Sequence, residues 1–449
     1  MAILCVRQGA TGTSGANWNL TSAFGNLTSA VTAAARGDTI YVATGSYSPV
    51  DFTKSGSSPV LTVKKAIVSD PAATSLAGWT DSLGIGTATF TNNGSAFAAW
   101  DISMDGLVID GQQGGGPGNW KGQTTPFGFR MSVPGANGKF WDTGTRSNIT
   151  LRHFETLGAF VRPGAPPPDG GHFGGTDLTF SYYYLNEHQN CGFRFKRGGG
   201  RIIMEYGFIG RYAGPRPDLD HAELIVWDTD DGGTIGDGIF RYNIVNFNAS
   251  TGGLLRTNES LQTTLFHIYG NVFYQDPALP WDSGGNGLIA VWAKTENTMK
   301  GLRVFYNTFI NSTDFVYYAD PATPSSKYGN NESRNNLYVS TSGNLIDYQW
   351  IQTHSHSHYV DSGGTHGETS ATSGTGDPFI PNARTNYDFR LTAQTSAGFD
   401  VGSGGSAIWS GPGYDRDMLG TPRTNRTRGA LEFATASPPA APTNLRIVP

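Results

Sequence analysis

The chain has 449 residues; 61 are glycine, 12% are aromatic and only 15% are charged. Glycine far above the usual ~7% points to many short strands joined by tight turns. A net charge of −5 without a basic run argues against nucleic acid, no stretch is long and apolar enough to span a membrane, and two cysteines cannot build a disulfide framework.

The opening, "MAILCVRQGATG", lacks the cleavage pattern of a secretory signal. The protein is therefore expected to work outside its cell either after losing a signal or by assembly into a virus particle. "NLTSAFGNLTSAVTAAARGDTIYV" reads as an Ala-rich helix over residues 18–36 followed by a strand. Asn17 and Asn19 are candidate helix N-caps and Gly37 the stop. Asn19 and Asn26 also stand in Asn-Leu-Thr sequons, read here as capping rather than glycosylation. Cys5 in this capping end and Cys191 in a central coil are expected to be unbridged.

Short apolar strands then recur, centred on Ala98, Phe129, Ala159, Phe193, Leu224, Leu254, Ala290, Val316 and Ile346, about 30 residues apart. A second ladder lies between them, from "MDGLVIDG" through "DLTFSYYYL" to "LRVFYNTFI". Several members carry an Asn before an apolar residue: Asn243, Asn271, Asn307 and Asn336. A repeat of two or three strands cannot bury its own apolar face, whereas stacked coils can, with Asn side chains bonding up the stack. The expected fold is all-β: a single-stranded right-handed parallel β-helix, ranked above a propeller, with an N-terminal capping helix. Residues 1–50 form the cap, 51–352 the β-helix, 353–435 a loop-rich closing segment and 436–449 a Pro/Ala-rich tail.

Alternation assigns sides. In "NCGFRFKR", Cys191, Phe193 and Phe195 are expected inside, with Arg194 and Lys196 outside. In "DLDHAELIVWDTDDGG", Ala222, Leu224 and Val226 form the expected inner set, and His221, Glu223, Ile225 and Trp227 the outer one. Arg256 and Trp292 belong to the following coils. An aromatic platform among acids and bases suits a sugar, with Trp227, Arg197, Arg256 and Trp292 as binding residues. For cleavage of a uronate polymer, Arg194, Lys196, Arg197, His188 and His221 could supply a base and a neutralising cation, with Glu223 and Asp228 beside them. Asp228, Asp230 and Asp231 could hold Ca²⁺, although "DTDDGG" also reads as a solvated turn. A hydrolase would instead use two carboxylates, such as Asp220 with Glu223 or Asp228. "VRPGAPPPDGG" and "PALPWDSGGNG" are loops that could wall a groove. In "THSHSHYV", His354, His356 and His358 alternate, with His366 nearby, inside a stretch that reads as an exposed loop more readily than a metal site.

"AARGDTIYVATGSY" followed by "MDGLVIDG" resembles the opening of pectate-lyase-like right-handed β-helix proteins. "DFRLTAQTSAGFDVG", then Asp415, Gly420, Arg423 and "RGALEF", resembles the closing segment of secreted β-helix proteins. The resemblance covers nearly the whole chain and implies the fold; the superfamily includes lyases, hydrolases, epimerases, phage tailspikes and non-catalytic members. Three functions follow as expectations: a glycan-binding and glycan-cleaving protein of a virus particle, a free polysaccharide lyase or hydrolase, and a non-catalytic adhesive solenoid. The partner expected is polysaccharide, with a homotrimer or virion assembly as the wider context.

Overall fold

The computed structural model describes residues 1–92, 98–134, 139–158, 169–186, 193–196, 201–210, 225–228, 237–247, 255–257, 261–277, 289–291, 299–312, 317–319, 328–341, 351–362, 367–392, 414, 416–423 and 428–431. Its named strands pair in parallel, coil upon coil, which is a β-helix and not a propeller. The coils build three faces. The first face runs from Ile3–Val6 and Thr39–Val42 to Glu332–Arg334 and Thr353–Ser355. A corner leads to the second face, which ends at His358–Val360 and Thr372–Gly374. Among the described residues the third face is a nine-stranded sheet from Val50–Phe52 to Tyr317–Ala319. In-register stacking thus begins before residue 51 and continues past residue 352.

Coil length varies more than the apparent 30-residue period suggests. Phe129 does not follow Ala98 on one face: it pairs with Ala88 and Phe154 on the second face, while Ala98 pairs with Lys139 on the third. The even spacing there joined strands of two different sheets. Aromatic side chains fill the interior, with Trp100, Phe129, Phe154, Trp141, Phe180 and Phe193 all fully or almost fully buried. Trp141 stacks on Phe193 at 5.1 Å between ring centroids. Each such burial stabilises by roughly 1.5–3 kcal/mol.

The corner between the first two faces follows one rule. Its first residue takes a positive φ, at His153, Tyr182, Tyr206, Tyr242, Gly270, Tyr306, Asn335 and His356. That conformation is unfavourable for aromatic residues, and stacking offsets it: His153 and Tyr182 lie 4.6 Å apart with parallel rings, and Tyr182 and Tyr206 5.2 Å apart. After Tyr242, Gly270, Tyr306 and Asn335 the next residue is an asparagine, Asn243, Asn271, Asn307 and Asn336 in turn, whereas the other corners continue with Phe154, Tyr183, Gly207 and Ser357. Each Asn Nδ2 donates to the Oδ1 of the next at 3.0–3.2 Å, so the sequence-read asparagines form a continuous internal ladder. Tyr183 Oη donates to Asn243 Oδ1 at 3.0 Å, and the ring fits because position 207 is glycine, where a Cβ would stand 2.2 Å from it. Glu368 closes the last corner, accepting from Ser357 N–H and the Tyr359 hydroxyl.

The N-terminal helix is shorter than residues 18–36. It spans Leu27–Ala33, and its cap is Asn26, whose side chain accepts from Ser29 N–H. Neither Asn17 nor Asn19 caps it; Asn17 Oδ1 instead accepts from Asn19 N–H in a turn. Leu27, Ala30 and Val31 are buried at the end of the solenoid. Lys54 Nζ donates to the carbonyls of Val31, Thr32 and Ala34, satisfying the helix's last acceptors. Cys5 is a free, buried thiol whose pKa is pushed up to about 12 by burial; Cys191 lies outside the described residues.

The closing segment lies against the second face. That face is largely apolar on its outer side as well: Phe208, Ile244, Val272 and Leu337 share one outer column with Thr308 and His358, and Tyr274, Ile310, Val339 and Val360 the next with Asn246. The eight apolar residues are all buried, in one cluster with Phe389, Leu391, Met418 and Leu431. Tyr387 Oη accepts from Asn246 Nδ2, Ala430 N–H donates to Thr308 Oγ1, and the Arg423 guanidinium lies 4.5 Å from the Tyr306 ring.

Two outcomes test this packing. Asn307→Ala orphans buried groups on both neighbouring coils, each costing about 1–3 kcal/mol; a urea denaturation midpoint unchanged from wild type would contradict the ladder. Lys65 is fully buried, donates to the carbonyls of Ala66 and Leu83, and has its pKa lowered to about 7 by burial. The fold favours the neutral amine, so this group's contribution to stability rises with pH from about 7 to 10.5. Lys65→Met should remove that slope from stability measured against pH.

Candidate functional site

With the second face covered by the closing segment, the third face offers an outer column. It runs Asp51, Asp101, Asp142, His172, Arg194, Val226, Arg256, Ala290 and Tyr318, each pairing with the next. Its outward phase is fixed where side chains are described. Asp51 is exposed and Asp101 and Asp142 are half-buried, whereas Phe52, Trp100, Ile102 and Trp141 are buried. Successive rows lie about 4.8 Å apart. The column changes sign along its length: three acids come first, then histidine and arginine positions.

The acidic end is well defined. Lys139 Nζ bonds Asp142 Oδ2 at 3.1 Å, Gly144 N–H donates to Asp142 Oδ1, and Ser103 Oγ donates to Asp101 Oδ1. The Asp101 carboxyl is held above its usual range by burial and by the charges of Asp51 and Asp142, against the opposing pull of Ser103 and Lys139. Among the described residues no group of three His, Cys, Asp or Glu side chains is placed to hold a metal ion.

The residues expected to form the site fare differently. Arg194 and Lys196 lie on the strand Phe193–Lys196, and Phe193 and Phe195 are buried as expected. Asp228 is paired with Lys196, and Arg256 shares the column of Arg194 through Val226. Trp227 does not join them. It pairs with Phe195, in the column of Phe52, Ile102, Phe173 and Phe195, all buried, so the strand Ile225–Asp228 is shifted by one residue from the phase read in the sequence. "ELIVWD" is apolar at four successive positions, so alternation leaves its phase open and only pairing with Phe193–Lys196 decides it. His188, Arg197, Asp220, His221, Glu223, Asp230, Asp231 and Trp292 lie outside the described residues. His172 and the acidic column escaped sequence reasoning because they stand on irregularly spaced coils, in "DGGHF", "VDF" and "KFWD".

The histidine triplet is not an exposed loop with three ligands on one face. Thr353–Ser355 and His358–Val360 are strands on different faces, and His356 is the positive-φ corner between them. His358 is buried beside Thr372 Oγ1, at 2.8 Å from its Nδ1.

No family model and no curated protein matches the chain. Among solved structures, pectate lyase Pel9A is similar over 97% of this chain and 97% of its own, at 13% identity and a TM-score of 0.47. The PL6 family alginate lyase AlyGC is similar over 86% of this chain and 58% of its own, at 13% identity and a TM-score of 0.35. Neither likeness bears on chemistry; the fold is read from the parallel ladders themselves. Trp227 stands in register with buried Phe195, so Trp227→Ala is expected to lower the melting temperature, at the cost of about 3–5 kcal/mol typical of a buried aromatic. A variant that melts like wild type would return Trp227 to the surface.

Proposed function

We propose that the third face binds an extended acidic polysaccharide and cleaves it by β-elimination. One observation carries the reading: the outer column passes from carboxylates into a basic half at His172, Arg194 and Arg256, with Lys196 paired to Asp228 beside it. Cationic positions aligned along one row suit a polymer with a carboxylate on each sugar, and arginine recognises a carboxylate through two parallel hydrogen bonds. Elimination needs a cation that stabilises the charge developing on that carboxylate and a base that removes the adjacent carbon-bound proton. Arg194 is assigned the first role and Lys196 the second. The C5–H electron pair forms the C4–C5 double bond as the C4–O bond breaks, and the departing glycosidic oxygen takes a proton from the Lys196 ammonium so formed or from water.

The described residues include no helix long and apolar enough to cross a membrane. A polymer of this kind would be met outside the cell, so the protein is proposed to act there, free or on a virus particle. The test is a panel of acidic and neutral polysaccharides, followed by the ultraviolet absorbance of unsaturated uronate and by new reducing ends. Lyase activity yields both signals, whereas a hydrolase yields reducing ends alone. Lys196→Ala should abolish turnover while binding persists, and Arg256→Ala should weaken binding about tenfold, as loss of a charge-assisted contact does. Full turnover by Lys196→Ala, or binding of neutral polymers alone, would overturn the assignment.

A further inference from the structure

A second concavity lies away from the third face, between the loop of residues 117–124 and the closing segment. It is a cleft of about 740 Å³, within the ~300–1,000 Å³ range of small-molecule sites. Trp120, Tyr387, Phe389, Met418 and Leu431 give it apolar walls. Both sides are held by contacts of their own. Asn119 Oδ1 accepts from Thr124 N–H, Thr124 Oγ1 and Thr125 N–H, and Asn119 Nδ2 donates to the Thr125 carbonyl, tying the loop to itself. Opposite, Arg390 clamps Asp388 through both carboxylate oxygens, and Phe379 packs edge-on against Phe389.

The charged groups of the lining are three: Asp388, Arg390 and Lys121. Asp388 and Arg390 neutralise each other, and Gln123 Oε1 accepts from Lys121 N–H. The Lys121 ammonium, by contrast, has no carboxylate partner among the described residues. It is held 4.0 Å from the Tyr387 ring centroid and 4.7 Å from that of Phe208, at the edge of the cleft. The two rings fix the position of the charge without neutralising it.

We infer that this cleft is a binding site for a small ring-bearing carboxylate, whose flat apolar face lies against Tyr387 and Phe389 and whose acid group pairs with Lys121. A sugar acid and an aromatic acid share this chemistry. The site is built from a loop and the closing segment rather than from the strands of the third face, so it does not depend on the function proposed above.

Calorimetric titration of the full chain with glucuronate and with phenylacetate, against glucose and benzyl alcohol as neutral counterparts, tests it. At least one acid should bind, its neutral counterpart at least about tenfold more weakly, and the acid preferred identifies the source. Lys121→Met, which keeps the stem on the rings, should abolish the preference for the acid. Asn386→Trp, placed at the exposed rim, should block both acids while thermal melting stays that of the wild type. Lys196→Ala should leave this binding unchanged. Failure of both acids to bind, or equal binding by wild type and Lys121→Met, would overturn the inference.

Discussion

Backbone pairing between successive coils is the constraint on which everything else depends. Each coil can satisfy its N–H and C=O groups only by lying in register on its neighbours, so a residue's face is inherited from the residue beneath it. The corner fixes that register. One positive-φ residue followed by an inward asparagine recurs at Asn243, Asn271, Asn307 and Asn336, and each asparagine bonds the backbone and side chain of the adjoining coils. Outside the corner the same rule builds columns, including the row that changes from Asp51, Asp101 and Asp142 to Arg194 and Arg256.

The closing segment divides the surface by use. A solenoid face normally alternates apolar inside and polar outside, but from Phe208 onward the second face is largely apolar outside as well, with Asn246, Thr308 and His358 as polar interruptions. Covering that strip removes it from water and from any polymer. The side chains that reach across do specific jobs: Tyr242 Oη donates to the Arg416 carbonyl, and Arg423 bonds the carbonyls of Gly429 and Ala430 while resting on Tyr306. The cleft beside Lys121 exists because the segment and the loop of residues 117–124 meet without closing the gap between them. The third face keeps the acid-to-base column.

Coils, the asparagine ladder and the presence of a capping helix were legible in the sequence because each is a local pattern repeated many times. The phase of Ile225–Asp228 was not, since four successive apolar residues fit either side. The grouping of Ala98 with Phe129 failed for a related reason: unequal coils let two different sheets mimic one period. His354, His356 and His358 alternate in the sequence, yet a corner passes through the middle one, and alternation holds only within a strand. The covered second face did leave a signal, in "GNVFY", "NTFI" and "NNLYV", where consecutive apolar residues mark strands buried on both sides. His172 carried none, because its coil departs from the common length.

The most direct test is of the third-face register, because both the polymer column and the exclusion of Trp227 rest on it. Paired positions on adjacent parallel strands have Cα atoms about 4.8 Å apart, inside the ~4.4–6.8 Å that a disulfide spans. In a Cys191→Ser background, the double variant Arg194→Cys/Val226→Cys should oxidise readily to an intramolecular disulfide, detected by mass spectrometry of peptide fragments. Arg194→Cys/Trp227→Cys should not, since those positions belong to columns on opposite sides of the sheet. Cross-linking of the second pair and not the first would contradict the register, and with it the site.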